Sequence, residues 1–189
     1  MAYKKRIYEK VRSIHRVNRL LWLAILSGML TFAVVVIVLS LTHLIVPASS
    51  GPDRLMENIF FLIAIALLLI IFYVKRTYLI PDKIISRAGV KTIHITATDD
   101  LDLIEQFGPN AGLLVKSMMI MRRYFMVIWS ANNLLVLMGF IYYLFNGTLR
   151  TFLIYLIIAL YSMIVNFPSF KLIKVCYESI FKKPLEMNG

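Results

Sequence analysis

Polar side chains that could do chemistry are few in the apolar parts of this 189-residue sequence. The densest cluster is Ser130, Asn132 and Asn133, which lies within a charge-free run at residues 124–149. Amides and hydroxyls can bind a solute, but in apolar helices they more often bond to a neighbouring helix. Because the two asparagines are about 100° apart on a helix, we expect at least one of them to contact another helix. The cluster predicts a helix interface, with a polar transport path as the alternative.

The titratable and metal-binding residues are not spaced as a catalytic or metal site. His15, His43 and His94 are spread over distant segments, and the single Cys176 has no other cysteine with which to form a disulfide. Residues 99–105 offer carboxylate oxygens, but they lack the glycine and the final glutamate of an EF-hand loop. Capping of a short helix by these acidic residues is the simpler interpretation. We expect no enzymatic activity, no cofactor and no metal.

The elements that must position these residues are long apolar helices. Hydrophobic residues make up 60% of the chain, charged residues 16%, and the mean hydropathy is +0.78. Charge-free windows occur at residues 20–42, 58–74, 124–149 and 151–170, and each is near the ~20 residues that a helix needs to cross a bilayer. The sequence predicts an all-α integral membrane protein with four transmembrane helices in two hairpins and cytoplasmic helical extensions.

Basic residues are distributed unevenly around these windows. Of the 21 Lys and Arg, all but Arg54 and Arg150 lie before residue 20, between residues 75 and 123, or after residue 170. By the positive-inside rule, both termini and the middle connection are predicted to be cytoplasmic, in a bacterial inner (plasma) membrane. The topology explains the net charge of +11, so we expect no nucleic-acid partner.

Some of these basic residues are expected to contact lipid headgroups. Long cationic side chains near the end of a span extend to the interface, and each one close to an anionic leaflet contributes about 1 kcal/mol of attraction. The predicted headgroup contacts are Lys4, Lys5, Arg6, Arg12, Arg16, Arg19, Arg122 and Arg123.

The chain divides into five predicted segments. They are a basic amphipathic helix (1–19), a first transmembrane hairpin (20–80), a cytoplasmic linker with a short acidic helix (81–110), a second hairpin with a long third span (111–170) and a cytoplasmic tail (171–189). No Pro or Gly separates the first helix from the first span, so we expect one continuous or gently bent helix there. Residues 111–145 also read as one helix of about 52 Å, longer than a hydrocarbon core of about 30 Å.

Small and polar residues on the spans predict where helices approach closely. Small side chains let two backbones come together in lipid, and amides and hydroxyls bond across the contact. The predicted interface residues are Ser27, Gly28, Thr31, Ser130, Asn132, Asn133, Gly139 and Asn166. Asn166 is expected to bond to a carbonyl freed by Pro168, which has no N–H.

Two hairpins with small residues in the odd-numbered spans resemble a duplicated c subunit of rotary ATPases. The third span is also similar to small uncharacterised four-span bacterial inner-membrane proteins. A c subunit carries an ion-binding carboxylate at mid-membrane, whereas this sequence has Asn132 and Asn133, which cannot release a proton. The resemblance implies the hairpin arrangement and does not extend to ion translocation.

The polar residues available for function are therefore a few hydrogen-bonding groups in apolar helices and the basic residues outside them. We expect a non-catalytic integral membrane subunit or scaffold, oligomeric or attached to a larger inner-membrane complex. Its expected partners are anionic inner-leaflet lipids, copies of itself or other membrane subunits. The alternative is a small transporter or channel with a polar path at Asn132 and Asn133.

Overall fold

A computed structural model of the chain describes residues 2–42, 54–90 and 108–182. Within these ranges the chain forms helices and no strand. The helices are α1 (Ala2–Leu41), α2 (Arg54–Tyr78), α3 (Pro81–Val90), α4 (Pro109–Asn146), α5 (Leu149–Val165) and α6 (Phe170–Phe181). The short acidic helix predicted in the linker lies outside the described residues.

Four stretches of the described chain are long and apolar enough to cross a membrane. They are Ile7–Leu41, Leu55–Tyr78, Pro109–Phe145 and Leu149–Phe181. The predicted fold class, an all-α chain with four such helices, is confirmed. The fourth stretch contains a break at residues 166–169, which separates α5 from α6.

The two long helices are continuous, as predicted. α1 has 40 residues and passes from its basic part into its apolar part without a break. α4 has 38 residues and is helical throughout residues 111–145. Gly108 and Gly147 flank α4 with φ of 76° and 66°, a left-handed conformation that glycine adopts without strain. These two glycines set the ends of the helix.

The end of the fourth span differs from its prediction. α5 stops at Val165, several residues before residue 170, because the chain must turn ahead of Pro168. The carbonyl that Pro168 leaves free is that of Ile164, and it accepts a bond of 3.2 Å from the Phe167 N–H. The Asn166 side chain donates instead to the Ser162 carbonyl at 2.8 Å. The predicted role of the Asn166 side chain is therefore wrong.

The helix α3 was not predicted from the sequence. Pro81 ends α2 as expected, but it then occupies the first position of a new helix, where its missing N–H costs nothing. Asp82 lies in the first turn of α3 and Arg87 in the last, which matches the helix dipole at each end. The linker thus begins with a ten-residue helix.

Contacts within the chain divide it into two units. Unit 1 comprises Met1–Leu20, Val74–Phe125 and Pro168–Gly189, and unit 2 comprises Leu21–Tyr73 and Met126–Phe167. α1 and α4 each contribute residues to both units. All Lys and Arg of the sequence except Arg54 and Arg150 belong to unit 1.

Unit 1 has a core assembled from distant parts of the chain. α3 packs on α6, and Ile84 of α3 and Ile173 of α6 are fully buried. The start of α1 buries Ile7 and Val11, and the start of α4 buries Leu114. α3 by itself is too short to bury a core, so the burial of its apolar residues depends on α6, on which it packs.

In unit 2, α4 contacts each of the other helices through aromatic rings. Phe140 lies 5.3 Å from Phe32 of α1, measured between ring centroids. Tyr142 lies 5.6 Å from Phe60 of α2, and Tyr143 lies 6.5 Å from Phe152 of α5. Aromatic pairs at these separations are favourable beyond the area they bury. α4 is therefore the central helix of unit 2.

Candidate functional site

The predicted polar cluster on α4 is divided around the helix. Asn132 is 0% exposed and Asn133 is half-buried, whereas Ser130 is exposed. Among the described residues, neither the Nδ2 nor the Oδ1 atom of Asn132 has a hydrogen-bond partner, and the Asn133 Oδ1 atom also lacks one. The three side chains therefore do not form one binding surface.

The buried amide of Asn132 lowers the stability of unit 2. A buried polar group without a hydrogen bond costs about 1–3 kcal/mol. Asn132 lies between Ile128 and Val136 on one face of α4, and both of these are also 0% exposed. A second chain in contact with the outside of the unit cannot reach an amide that is enclosed in this way.

The last turn of α5 is held by the two tryptophans of the chain. The Trp22 Nε1–H of α1 donates to the Met163 carbonyl at 3.1 Å. The Trp129 Nε1–H of α4 donates to the Asn166 carbonyl at 3.3 Å. The last carbonyls of a helix have no partner within the helix, and in a bilayer each needs a donor from the protein. The tryptophans supply these donors, a role that was not predicted from the sequence.

The signal for these bonds is present in the sequence. Pro168 predicts a helix end inside an apolar stretch, and indole N–H groups are among the few donors that an apolar helix carries. Asn166 completes the arrangement, because its Nδ2 donates to the Ser162 carbonyl at 2.8 Å and to the Ser162 Oγ at 3.3 Å. The structure thus places Asn166 at a helix end within unit 2.

The small residues of α1 and α4 have different surroundings. A Cβ atom added at Gly139 would lie 2.7 Å from the Tyr155 Cβ, because α5 lies directly against α4 there. A Cβ atom added at Gly28 would meet nothing within 4 Å. Ser27 and Thr31 are also exposed, and the Thr31 Oγ–H donates to the Ser27 carbonyl at 3.0 Å. This small-residue face of α1 is exposed, and no described part of the chain lies within 4 Å of a Cβ atom at Gly28.

Arg122 is the predicted headgroup residue with the most defined position. Its Nε–H donates to the Oδ1 of Asn18 at 2.9 Å, and Asn18 is 0% exposed. The side chains of Arg12, Arg16, Arg19 and Arg123 are exposed. The structure describes the backbone of Lys4, Lys5 and Arg6 but not their side chains.

A groove of about 210 Å³ runs between α1 and α4 beside Arg122. Its walls come from one face of each helix, with Lys10 and Ser13 on α1 and Met119 and Arg122 on α4. The residue numbers rise together along the two helices, from Ile7 with Ala111 to Asn18 with Arg122. The two helices therefore run in the same direction in unit 1, and they place cationic side chains along a shared apolar surface.

Arg87 connects α3 to its neighbours in unit 1. Its Nη1 donates to the Tyr124 hydroxyl at 2.8 Å, and its guanidinium lies 4.0 Å from the centre of the Tyr78 ring. The two tyrosine rings stack with their centroids 4.8 Å apart. A guanidinium over an aromatic face is stabilising, so this cluster attaches α3 to the end of α2 and to α4. This cluster was not predicted from the sequence.

The described residues include side chains of the metal-binding types and the single cysteine. No group of three or more His, Cys, Asp and Glu is placed there to hold a metal ion. Cys176 of α6 is a free cysteine and is 3% exposed. The acidic residues at 99–105 and His43 and His94 lie outside the described part of the chain.

The four apolar helices define a multi-pass membrane protein. Its described polar side chains serve mainly to join helices to one another. Comparison of the chain with protein-family models, curated proteins and solved structures found no match. The resemblance to c-subunit hairpins and to small four-span proteins therefore stays a prediction.

Proposed function

We propose that the protein is a non-catalytic integral membrane subunit or scaffold that binds another membrane helix through α1. The observation that carries this proposal is the exposed small-residue face of α1, formed by Ala24, Ser27, Gly28 and Thr31. This face lies on the side of α1 opposite Met29 and the other buried residues of that helix.

Helices in lipid associate by close packing, since lipid tails are as apolar as leucine. A face of small residues lets the backbone of a second helix approach, and the spacing of Ala24 and Gly28 matches the small-xxx-small pattern. Gly139 is the internal counterpart, because α5 already fills the space beside it. A second copy of this chain or another membrane subunit is the proposed occupant of the α1 face.

The proposed location is the bacterial inner membrane, with both termini cytoplasmic. The support is the restriction of basic residues to unit 1, with only Arg54 and Arg150 in unit 2, since cytoplasmic loops retain Lys and Arg. Anionic inner-leaflet lipids are the proposed partners of unit 1. Lys10 and Arg122 along the α1–α4 groove are suited to phosphate groups.

Orientation is tested by labelling single cysteines in a Cys176→Ser background. A membrane-impermeant maleimide added to spheroplasts should label Ser49→Cys and Gly147→Cys and should not label Thr98→Cys. Labelling at residue 98 from outside would reverse the proposed topology.

Association is tested with the variants Ala24→Leu and Gly28→Leu. Each places a large side chain on the small-residue face, and Gly28→Leu also favours the helix by about 1 kcal/mol, so unfolding of α1 would not explain a loss. Ala66→Leu is the matched control, because Ala66 is an exposed small residue on α2. Native mass spectrometry after mild detergent extraction should show wild type and the control in a complex and both α1 variants alone.

A small transporter or channel with a polar path at Asn132 and Asn133 is the competing hypothesis, favoured by amide atoms of both residues that have no hydrogen-bond partner among the described residues. Purified protein in liposomes separates the two hypotheses. The transporter hypothesis would be supported over the scaffold if the purified protein carried a solute flux that Asn132→Leu abolished, and if the α1 variants associated like wild type.

A further inference from the structure

Unit 2 contains a cavity that none of the predicted site residues lines. Its volume is about 380 Å³, and its walls come from α2, α4 and α5. This volume falls within the range of roughly 300–1,000 Å³ that ligand pockets occupy. Neither Asn132 nor Asn133 contributes to the wall, so the cavity is independent of the polar cluster on α4.

The cavity is polar at one end and apolar at the other. Glu57 and Asn58 in the first turns of α2 line it together with Thr151 in the first turn of α5. Leu68 lines it about 16 Å further along α2, and Ile158 about 10 Å further along α5. Since the carboxylate, amide and threonine groups lie where α2 and α5 begin, the cavity matches a molecule with a polar head and an apolar chain.

Two tyrosines add hydroxyl groups to this cavity. Tyr142 of α4 and Tyr155 of α5 both line it. The ring of Tyr142 packs edge-on against Phe60, with 5.6 Å between centroids, and Tyr155 lies against Gly139. Their positions are set by packing within unit 2, so the site is pre-formed, which reduces the ordering cost of binding.

We propose that this cavity binds one phospholipid with a primary-amine headgroup from the surrounding bilayer. Glu57 is the one charged side chain that lines the cavity, and a carboxylate attracts an ammonium group and repels an anionic head. Arg150 precedes Thr151 at the start of α5 and is exposed, so a phosphate has a cation nearby. One of its two acyl chains lies along the apolar wall formed by Ala64 and its neighbours, and the other stays in the surrounding bilayer.

The charge pattern distinguishes this site from the groove of unit 1. That groove is lined by Lys10 and Arg122 and has no acidic residue in its wall, which suits an anionic head. The cavity of unit 2 is lined by a carboxylate and by hydroxyl groups. A primary ammonium donates three hydrogen bonds, whereas a quaternary ammonium donates none, so the hydrogen-bond acceptors at the polar end favour the primary amine.

The test is native mass spectrometry of the purified full chain titrated with three phospholipids of identical acyl chains. Their headgroups are ethanolamine, choline and glycerol. We expect one ethanolamine lipid to bind more tightly than choline and glycerol lipids. Glu57→Gln should lower the affinity for the ethanolamine lipid by about tenfold, the size of one charge-assisted hydrogen bond. It should leave the affinities for the other two lipids nearly unchanged.

Two further variants make the result decisive. Glu178→Gln is the matched control, because Glu178 lies in unit 1 and pairs with Lys174 at 3.9 Å, and it should bind lipid like wild type. Ala64→Leu fills the apolar part of the cavity and should lower the affinity for all three lipids. Equal binding of the three lipids to the wild-type protein would show that only annular lipid is bound and would overturn the proposal. The same conclusion would follow if Glu57→Gln kept its helicity and bound the ethanolamine lipid as tightly as wild type.

Discussion

Units 1 and 2 share the helices α1 and α4 but are held together by different kinds of contact. In unit 1 the contacts between elements include charged side chains, as in the bonds from Arg87 to Tyr124 and from Arg122 to Asn18. In unit 2 they are close backbone approach at Gly139, aromatic pairs and bonds from indole N–H groups to helix-end carbonyls. The same helix is therefore packed in two ways along its length.

The difference follows from the residues that each unit has available. Unit 2 has only Asp53, Arg54, Glu57 and Arg150 as charged residues, so its helices must associate by shape and by neutral donors. In lipid, apolar side chains gain little from leaving their surroundings, and small residues become the main way to bring helices together. Unit 1 carries amphipathic helices, for which burial of one apolar face is the ordinary driving force.

The largest predicted effect tests the close packing of unit 2. Gly139→Ala places a Cβ atom 2.7 Å from the Tyr155 Cβ, so α4 and α5 must separate, and we expect a loss of about 1–3 kcal/mol in the free energy of unfolding. Gly28→Ala is the matched control, because nothing lies within 4 Å of its Cβ position. It should stabilise the protein by up to about 1 kcal/mol through helix propensity.

Unfolding of both glycine variants can be followed by circular dichroism during titration of a mild detergent with sodium dodecyl sulfate. Destabilisation by Gly139→Ala and stabilisation by Gly28→Ala are expected from proteins purified in the same way. Similar shifts in the two variants would contradict the assignment of Gly139 to a helix contact and of Gly28 to a free face.

The next prediction concerns unit 1 and uses its single cysteine as a reporter. Arg87→Ala removes the bond to Tyr124 and the contact with the Tyr78 ring, at a cost of about 1–3 kcal/mol. α3 should then open more often from α6, on which it packs, and expose Cys176, which is 3% exposed. The rate of maleimide labelling of Cys176 should rise about tenfold or more.

Arg87→Lys separates the charge from the geometry of this cluster. Lysine keeps the positive charge but lacks the planar group that stacks on Tyr78, so labelling should be intermediate between wild type and Arg87→Ala. Equal labelling of all three proteins would show that the Arg87 cluster does not hold α3 in place.

The smallest predicted effect is a gain of stability. Asn132→Leu replaces a fully buried amide that has no partner among the described residues with an apolar side chain of similar size. We expect the free energy of unfolding to rise by about 1 kcal/mol. Asn166→Leu is the control and should lower the free energy of unfolding, because it removes the bond from the Asn166 Nδ2 to the Ser162 carbonyl. A loss of stability in Asn132→Leu would show that this amide makes a contact that stabilises the fold.

The sequence alone determined the class of the fold and the course of its long helices. Windows without charge require helices that satisfy their own backbone bonds in a bilayer, and this requirement holds whatever the helices pack against. The continuity of α1 and α4 follows from the absence of proline beyond their first turns, since Pro109 occupies the first position of α4. These are local properties, so they could be inferred before any contact between helices was known.

Contacts between distant residues were decided only by the tertiary structure. The core of unit 1 brings α3 against α6, and the Trp22 and Trp129 bonds depend on where α5 ends. Gly28 and Gly139 look alike as small residues in apolar helices, yet only Gly139 is in contact with another helix. Sequence spacing specifies which face of a helix a residue occupies, whereas the neighbour opposite that face depends on how the whole chain packs.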